Sequence, residues 1–136
     1  MSRPPVSIVI RTLNAAETLR DVLLGLHRGE SDQLIVVDSG STDGTVELAR
    51  SQGAEILVIG KDDFTYGRAL NRGFSAARHD WVLSLSAHTI PADRLFLESY
   101  RRAIGRFPES VTAAVGPILG EFDAALSGGI TLFEGD

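Results

Sequence analysis

Several groups of residues in this sequence have the types and spacings that polar chemistry requires. The first is Asp38-Ser39-Gly40-Ser41-Thr42-Asp43, reached directly from the apolar run Leu34-Ile-Val-Val37. An unbroken apolar run cannot alternate between core and water. It therefore fits a strand covered on both faces, which delivers Asp38 to the strand's carboxyl end. In open α/β sheets ligands collect beyond that end, so Asp38 stands where a hydrogen-bond acceptor for a ligand would stand. Asn14 and Glu17 have the spacing of a helix-capping pair, and Glu17 is equally open to ligand contact. Arg68 and Asn71 lie three apart and can share a helix face, turned either to solvent or to a ligand. Asp62 and Asp63 are adjacent loop acids that suit a cation or simple solvation. His88 follows an apolar run as a polar residue near a strand's end.

The elements that must position these residues alternate strand and helix. Val6–Ile10, Gln33–Asp38, Ala54–Ile59 and Trp81–Ser86 read as strands from their apolar and β-branched content. After Asn14, Leu19, Val22, Leu23 and Leu26 recur at helical intervals, and Gly29 ends that helix. Thr42 or Asp43 caps a second helix that begins near Gly44. A third helix over Arg68–Arg78 carries a small-residue face, Ala69, Gly73 and Ala76-Ala77, which allows close approach to a sheet. Pro91 suits the first turn of a fourth helix, carried to Phe107 by Leu95, Phe96, Tyr100 and Ile104. Val111–Val115 adds a last strand, and after Gly116 no closing element is recognisable. Short crossovers that contain helices make parallel pairing the expectation, so the fold class is α/β.

Composition narrows the function. The chain has 136 residues, 43% of them apolar, which suffices for one domain, 1–136, with a proper core. A net charge of −5 argues against nucleic acid as the main ligand. With no cysteine there is neither a disulfide nor a thiolate metal site, which fits a reducing compartment. Met1-Ser-Arg-Pro-Pro5 does not read as a signal peptide, and no transmembrane segment is present in the sequence. The expected location is the cytoplasm, with peripheral attachment at the inner face of a membrane as the alternative.

Three stretches, in this order, resemble the inverting family 2 glycosyltransferases of the GT-A fold, which move a sugar from a nucleotide diphosphate to an acceptor. Val6-Ser-Ile-Val-Ile-Arg-Thr-Leu-Asn14 is similar to the family's opening strand, and Leu34-Ile-Val-Val-Asp-Ser-Gly-Ser-Thr-Asp-Gly-Thr45 to its second-strand signature. Phe64-Thr-Tyr-Gly-Arg-Ala-Leu-Asn71 resembles the segment before the third helix in a rhamnosyltransferase-like form. The resemblance covers roughly the first two thirds of the chain. It implies a three-layer α/β/α sandwich with a mostly parallel central sheet, of the nucleotide-diphospho-sugar transferase type, truncated at its C-terminus. It places Arg11, Thr12, Asn14, Asp38 and Ser39 at a nucleotide pocket and turns Arg68 toward the diphosphate, with Glu17 and Asn71 as further candidate contacts.

The departures from the family pattern are informative. Arg11 and Leu13 stand where proline and tyrosine are usual, and Ser39 replaces an acid. At the fourth strand Ser86-Ala87-His88 replaces the family's metal-holding Asp-x-Asp. Imidazole suits Mn²⁺ and is a poor ligand for Mg²⁺, so the resemblance implies a divalent metal at His88, Mn²⁺ ahead of Mg²⁺. The other reading is that His88 only ends its strand. The half of the fold that carries the acceptor site and the base is mostly missing. Glu121, Asp123, Glu134 and Asp136 are acids in that region without a motif, so no base is named. The implied function is inverting transfer of a sugar from a UDP- or dTDP-linked donor to the hydroxyl of a glycan or lipid-linked acceptor. The alternative is a catalytically silent nucleotide-sugar-binding or assembly module of the same fold. An unrelated doubly wound nucleotide binder lacks a Gly-x-Gly-x-x-Gly fingerprint here, since Arg11-Thr-Leu-Asn14 follows the first strand.

Overall fold

The structure is a computed structural model and describes residues 4–107 together with two strands at 111–115 and 131–134. Glu121, Asp123 and Asp136 lie outside the described residues, as does the side chain of Glu134. The chain divides into two compact units, Met1–Arg101 and Arg102–Asp136.

The first unit contains β1 (Ser7–Thr12), α1 (Ala16–Leu26), β2 (Gln33–Asp38), α2 (Thr45–Ser51), β3 (Glu55–Val58), α3 (Tyr66–Ala76) and β4 (Val82–Ser86), and α4 (Phe96–Ile104) follows. The four strands form one parallel sheet in the order β3-β2-β1-β4, flanked by helices. β2 is buried along its whole length, as its unbroken apolar run requires of an interior strand. The register sets Thr12 opposite Asp38, and Arg11 opposite Val37 on one side and Ser86 on the other. Asp38 in turn faces Val58. All four strands therefore end along one rim.

Alternation along β1 and β2 sorts their side chains onto two faces. Val9, Ile35 and Val37 cluster with Ile59 and with Ala69 of α3. Ile8, Ile10, Leu34 and Val36 take the opposite face and are equally sealed from water. The small-residue face of α3 does what its composition predicts. A Cβ added to Gly73 would lie 2.3 Å from Val9 Cγ1 and 3.3 Å from Val37 Cγ2. At the other end of the sheet, buried Arg101 donates through both Nη atoms to the carboxylate of Asp32, and through Nη1 to the carbonyl of Pro4 at 2.9 Å. The backbone N–H groups of Val6 and Gly29 complete the shell of Asp32.

Several local expectations are corrected. Asn14 and Glu17 do not form a capping pair: α1 has Ala15 at its N-cap, and Asn14 turns through φ +47° to serve another loop. Gly29 does not end α1, because the chain leaves the helix two residues earlier through His27 in the left-handed region. α3 begins at Tyr66 rather than Arg68, since Thr65 caps it by accepting from the Arg68 N–H at 3.0 Å. Pro91 is not in the first turn of α4. It is buried against Gly25, while Asp93 accepts from the Leu95 N–H ahead of the helix. In the second unit β5 (Val111–Val115) is a strand as expected, but it pairs antiparallel with an unforeseen β6 (Thr131–Glu134) in a separate two-stranded sheet.

Gly73→Ala should lower the urea midpoint although alanine is the better helix former by about 1 kcal/mol. Overpacking against stiff Val9 costs about 1–3 kcal/mol and outweighs that gain. Val9→Ala in the same chain should recover part of the loss; an unchanged midpoint in the single variant would show that α3 has room to spare.

Candidate functional site

The rim is built around the carboxylate of Asp38. Its Oδ1 accepts from Thr12 Oγ1 at 2.7 Å and from Ser41 Oγ at 2.6 Å. Its Oδ2 accepts from the backbone N–H groups of Gly40 at 3.0 Å and Ser41 at 2.8 Å. Asp38 is 2% exposed and Thr12 4%. Glycine at position 40 permits the φ of +104° that curls the backbone over the carboxylate. Four donors on two oxygens occupy the acceptor capacity of the group.

From this centre the bonds run outward into the next loop. Ser41 Oγ accepts from the Asn14 N–H at 2.8 Å, and Asn14 Oδ1 accepts from the Thr42 N–H at 2.8 Å. The Ala15 N–H donates to Thr45 Oγ1 at 3.0 Å, and the Ala16 N–H to Asp43 Oδ2 at 3.2 Å. Asp43 Oδ1 also accepts from the N–H and the hydroxyl of Thr45. Each loop thus supplies acceptors to the other, and donors at the first turn of α1 are satisfied by residues about thirty positions away. Ser39 contributes inward: its N–H and its hydroxyl both donate to the Thr12 carbonyl, at 3.1 and 3.2 Å.

Further along the rim the residues are more open. Arg11 lies with its guanidinium carbon 4.7 Å from the ring centroid of Tyr66. Arg68 and Asn71 are exposed on α3, and Arg68 Nη1 reaches the Asp63 carbonyl at 3.5 Å. His88 is exposed two residues past β4, with its backbone N–H on Ser86 Oγ at 3.2 Å. Residues 7–123 match the family model described as glycosyl transferase family 2. The chain belongs to that family.

This family 2 chain is 34% identical over 93 residues to a PGL/p-HBAD biosynthesis glycosyltransferase of Mycobacterium bovis, covering 64% of this chain and 36% of that relative. It also resembles glucosyl-3-phosphoglycerate synthase from Mycobacterium tuberculosis. The structure of that synthase with Mn²⁺, UDP and phosphoglyceric acid superposes with a TM-score of 0.62 at 28% identity, covering 79% of this chain and 41% of that one. The structure with Mg²⁺ and UDP gives 0.56 at 30%, covering 70% and 37%. The family 2 chain therefore spans well under half the length of these relatives.

The structure brings Thr12, Asn14, Asp38 and Ser39 into one bonded cluster, with Arg11, Arg68 and His88 at the same end of the sheet. Glu17 stands apart, in an open groove of about 610 Å³ between the first turns of α1 and α2 that Arg20, Asp21 and Asp43 also line. Asp62 and Asp63 are both exposed. Among the described residues no three His, Cys, Asp or Glu side chains converge on a cation. Ser41 and Thr45 are positioning residues that sequence reasoning missed; neither Thr42 nor Asp43 caps α2, whose N-cap is Gly44 with no side-chain cap bond, and Asp43 instead accepts from the Ala16 N–H at the start of α1. The Asx-turn habit of accepting N–H bonds two and three residues on is the signal that would have found Ser41.

Burial is the strongest single influence on Asp38 and opposes its ionisation. The hydrogen bonds from Ser41, Thr12 and Gly40 together outweigh burial and hold its pKa below the ordinary aspartate value. A carboxyl with a depressed folded pKa contributes stability that is complete above the unfolded value of about 3.9 and is lost as pH falls through the folded value. Asp32 and Asp43 are shifted in the same direction. The urea midpoint should therefore fall as the solution is taken from about pH 5 into the acid range. Asp38→Asn should lower stability at neutral pH by about 1–3 kcal/mol, because it sets an amide donor against donors, and should flatten the acid slope without abolishing it. Identical slopes in the two proteins would show that Asp38 is not part of this linkage.

Proposed function

We propose that this chain is the donor-binding part of a cytoplasmic glycosyltransferase that takes a nucleoside-diphosphate sugar, UDP- or dTDP-linked, and transfers the sugar with inversion to an acceptor hydroxyl. The observation that carries this reading is the register of the sheet, which ends the strands bearing Thr12, Asp38 and Ser86 along one rim. Membership of family 2 and the likeness to a synthase solved with UDP support it. The Phe64-Thr-Tyr-Gly-Arg-Ala-Leu-Asn71 segment is the ground for a rhamnosyl-type donor.

On this reading Asp38 is the brace and not the hand. With its carboxylate occupied by Thr12, Gly40 and Ser41, it fixes the loop at 39–45, and the nucleoside lies against the exposed edge formed by Asn14 and Thr42. Asn14 spends its side-chain oxygen on Thr42, so its amide N–H₂ is the group left to donate to a base or ribose oxygen. Arg68, exposed near the start of α3, offers a permanent cation and planar donors to the diphosphate. His88 would hold a divalent ion, Mn²⁺ in preference to Mg²⁺, together with phosphate oxygens, and that ion would offset the charge gathering on the leaving nucleotide. Inversion requires a base that takes the proton of the acceptor hydroxyl as it attacks. Asp38, with both oxygens fully engaged, is not free to be that base.

Isothermal titration calorimetry with Mn²⁺ present should show saturable binding of UDP or dTDP; no heat with UDP, dTDP or GDP on folded protein would end the donor-site reading. His88→Ala should erase the extra affinity that Mn²⁺ confers while moving stability by no more than about 0.5 kcal/mol, as expected of an exposed position. Should Mn²⁺ help the variant as much as the parent, His88 is no ligand.

A further inference from the structure

Arg11 is the residue on the rim whose chemistry remains incomplete. It lies one position before the end of β1, with Val37 and Ser86 as its cross-strand partners, so neither neighbouring strand sets a carboxylate opposite it. Its Nε is buried and has no hydrogen-bond acceptor among the described residues. A buried guanidinium N–H without an acceptor is costly, and arginine cannot relieve the cost by giving up its proton. The side chain is nonetheless held in place. Its guanidinium sits over Tyr66, and Phe64 meets Tyr66 edge-on with ring centroids 5.4 Å apart and planes at 72°. Tyr66 is itself 70% exposed, so the stack stands at the surface, where a ligand can reach it.

A cation over an aromatic face keeps the edge of its plane free for hydrogen bonding, and the two terminal Nη groups can aim N–H donors in parallel at one acceptor group. The acceptor that matches such a pair is a carboxylate or a phosphate oxygen pair. On a rim that receives a nucleoside diphosphate, the phosphate is the group at hand. We propose that Arg11, fixed by Tyr66, is a metal-independent anchor for a phosphate of the donor. This rests on the donor-site reading above. It adds a second permanent cation to Arg68, one held in place by an aromatic stack and acting on the phosphate without a divalent ion.

The test is calorimetric titration with UDP and with uridine, each in excess EDTA and then with Mn²⁺. The wild-type protein should bind UDP in EDTA, more tightly than uridine. Arg11→Ala should keep its affinity for uridine, which certifies a folded site, and lose about tenfold or more in affinity for UDP in EDTA. Arg11→Lys should recover only part of that loss, because an ammonium cannot supply the paired donors. Tyr66→Phe should behave as wild type and Tyr66→Ala should weaken UDP binding in the same direction as Arg11→Ala. If EDTA abolishes UDP binding to the wild type and Mn²⁺ restores it, the anchor is refuted while the donor site stands. Equal UDP affinity in Arg11→Ala and wild type would refute it as well. If UDP binds in neither condition, the donor-site reading fails and this one with it.

Discussion

A carboxylate sealed from water and met only by neutral donors is the constraint on which this rim depends. Burying the charge of Asp38 is unfavourable, and the chain compensates by aiming two hydroxyls and two backbone N–H groups at it. Those four groups come from β1 and from the loop after β2, so satisfying one charge fixes the relative position of two segments. The loop can meet the requirement only with a short side chain at Ser41 and a left-handed residue at Gly40. At the opposite end of β2, Asp32 solves the same problem with a cation, Arg101, plus two backbone N–H groups. The central strand is thus pinned at both ends. The ionic pin lies at the amino end of β2 and the neutral pin at its carboxyl end, which leaves the cations of the rim unpaired with Asp38.

The architecture was legible wherever apolar pattern alone decides it. β2 is buried on both faces because Leu34-Ile-Val-Val37 leaves no polar residue to turn outward, and α1 buries Leu19, Val22, Leu23 and Leu26 as their spacing requires. The closeness of α3 followed from Ala69 and Gly73. Boundaries were harder, because they depend on partners distant in sequence. Asn14 and Glu17 have the spacing of a cap, yet the first turn of α1 is satisfied by Asp43 and Thr45, which no local rule connects to it. Pro91 has the preference for a helix start, but its contact with Gly25 decided its place. β6 was missed because its pairing partner β5 lies across a stretch with no pattern of its own.

The candidate site divides along the same line. That Asp38 would sit at a strand's carboxyl end could be read from the run before it. That its oxygens would be filled from within could not, because the count depends on the backbone path of residues 39–41. Ser39 is a similar case: its hydroxyl turns to the Thr12 carbonyl rather than outward. Arg11 departs from the family pattern in sequence alone, but its contact with Tyr66 joins residues more than fifty positions apart and only the fold reveals it.

The hydrogen atom that stands for a side chain at Gly73 works as a spacer of minimum thickness between α3 and the sheet. Tyr66 and Arg68 ride on the first turn of that same rigid rod, so their height above the strand ends is set two turns away from them. Any thicker residue at the seat would tip the rod and carry the tyrosine ring away from the Arg11 guanidinium, breaking the stack without touching either of its members.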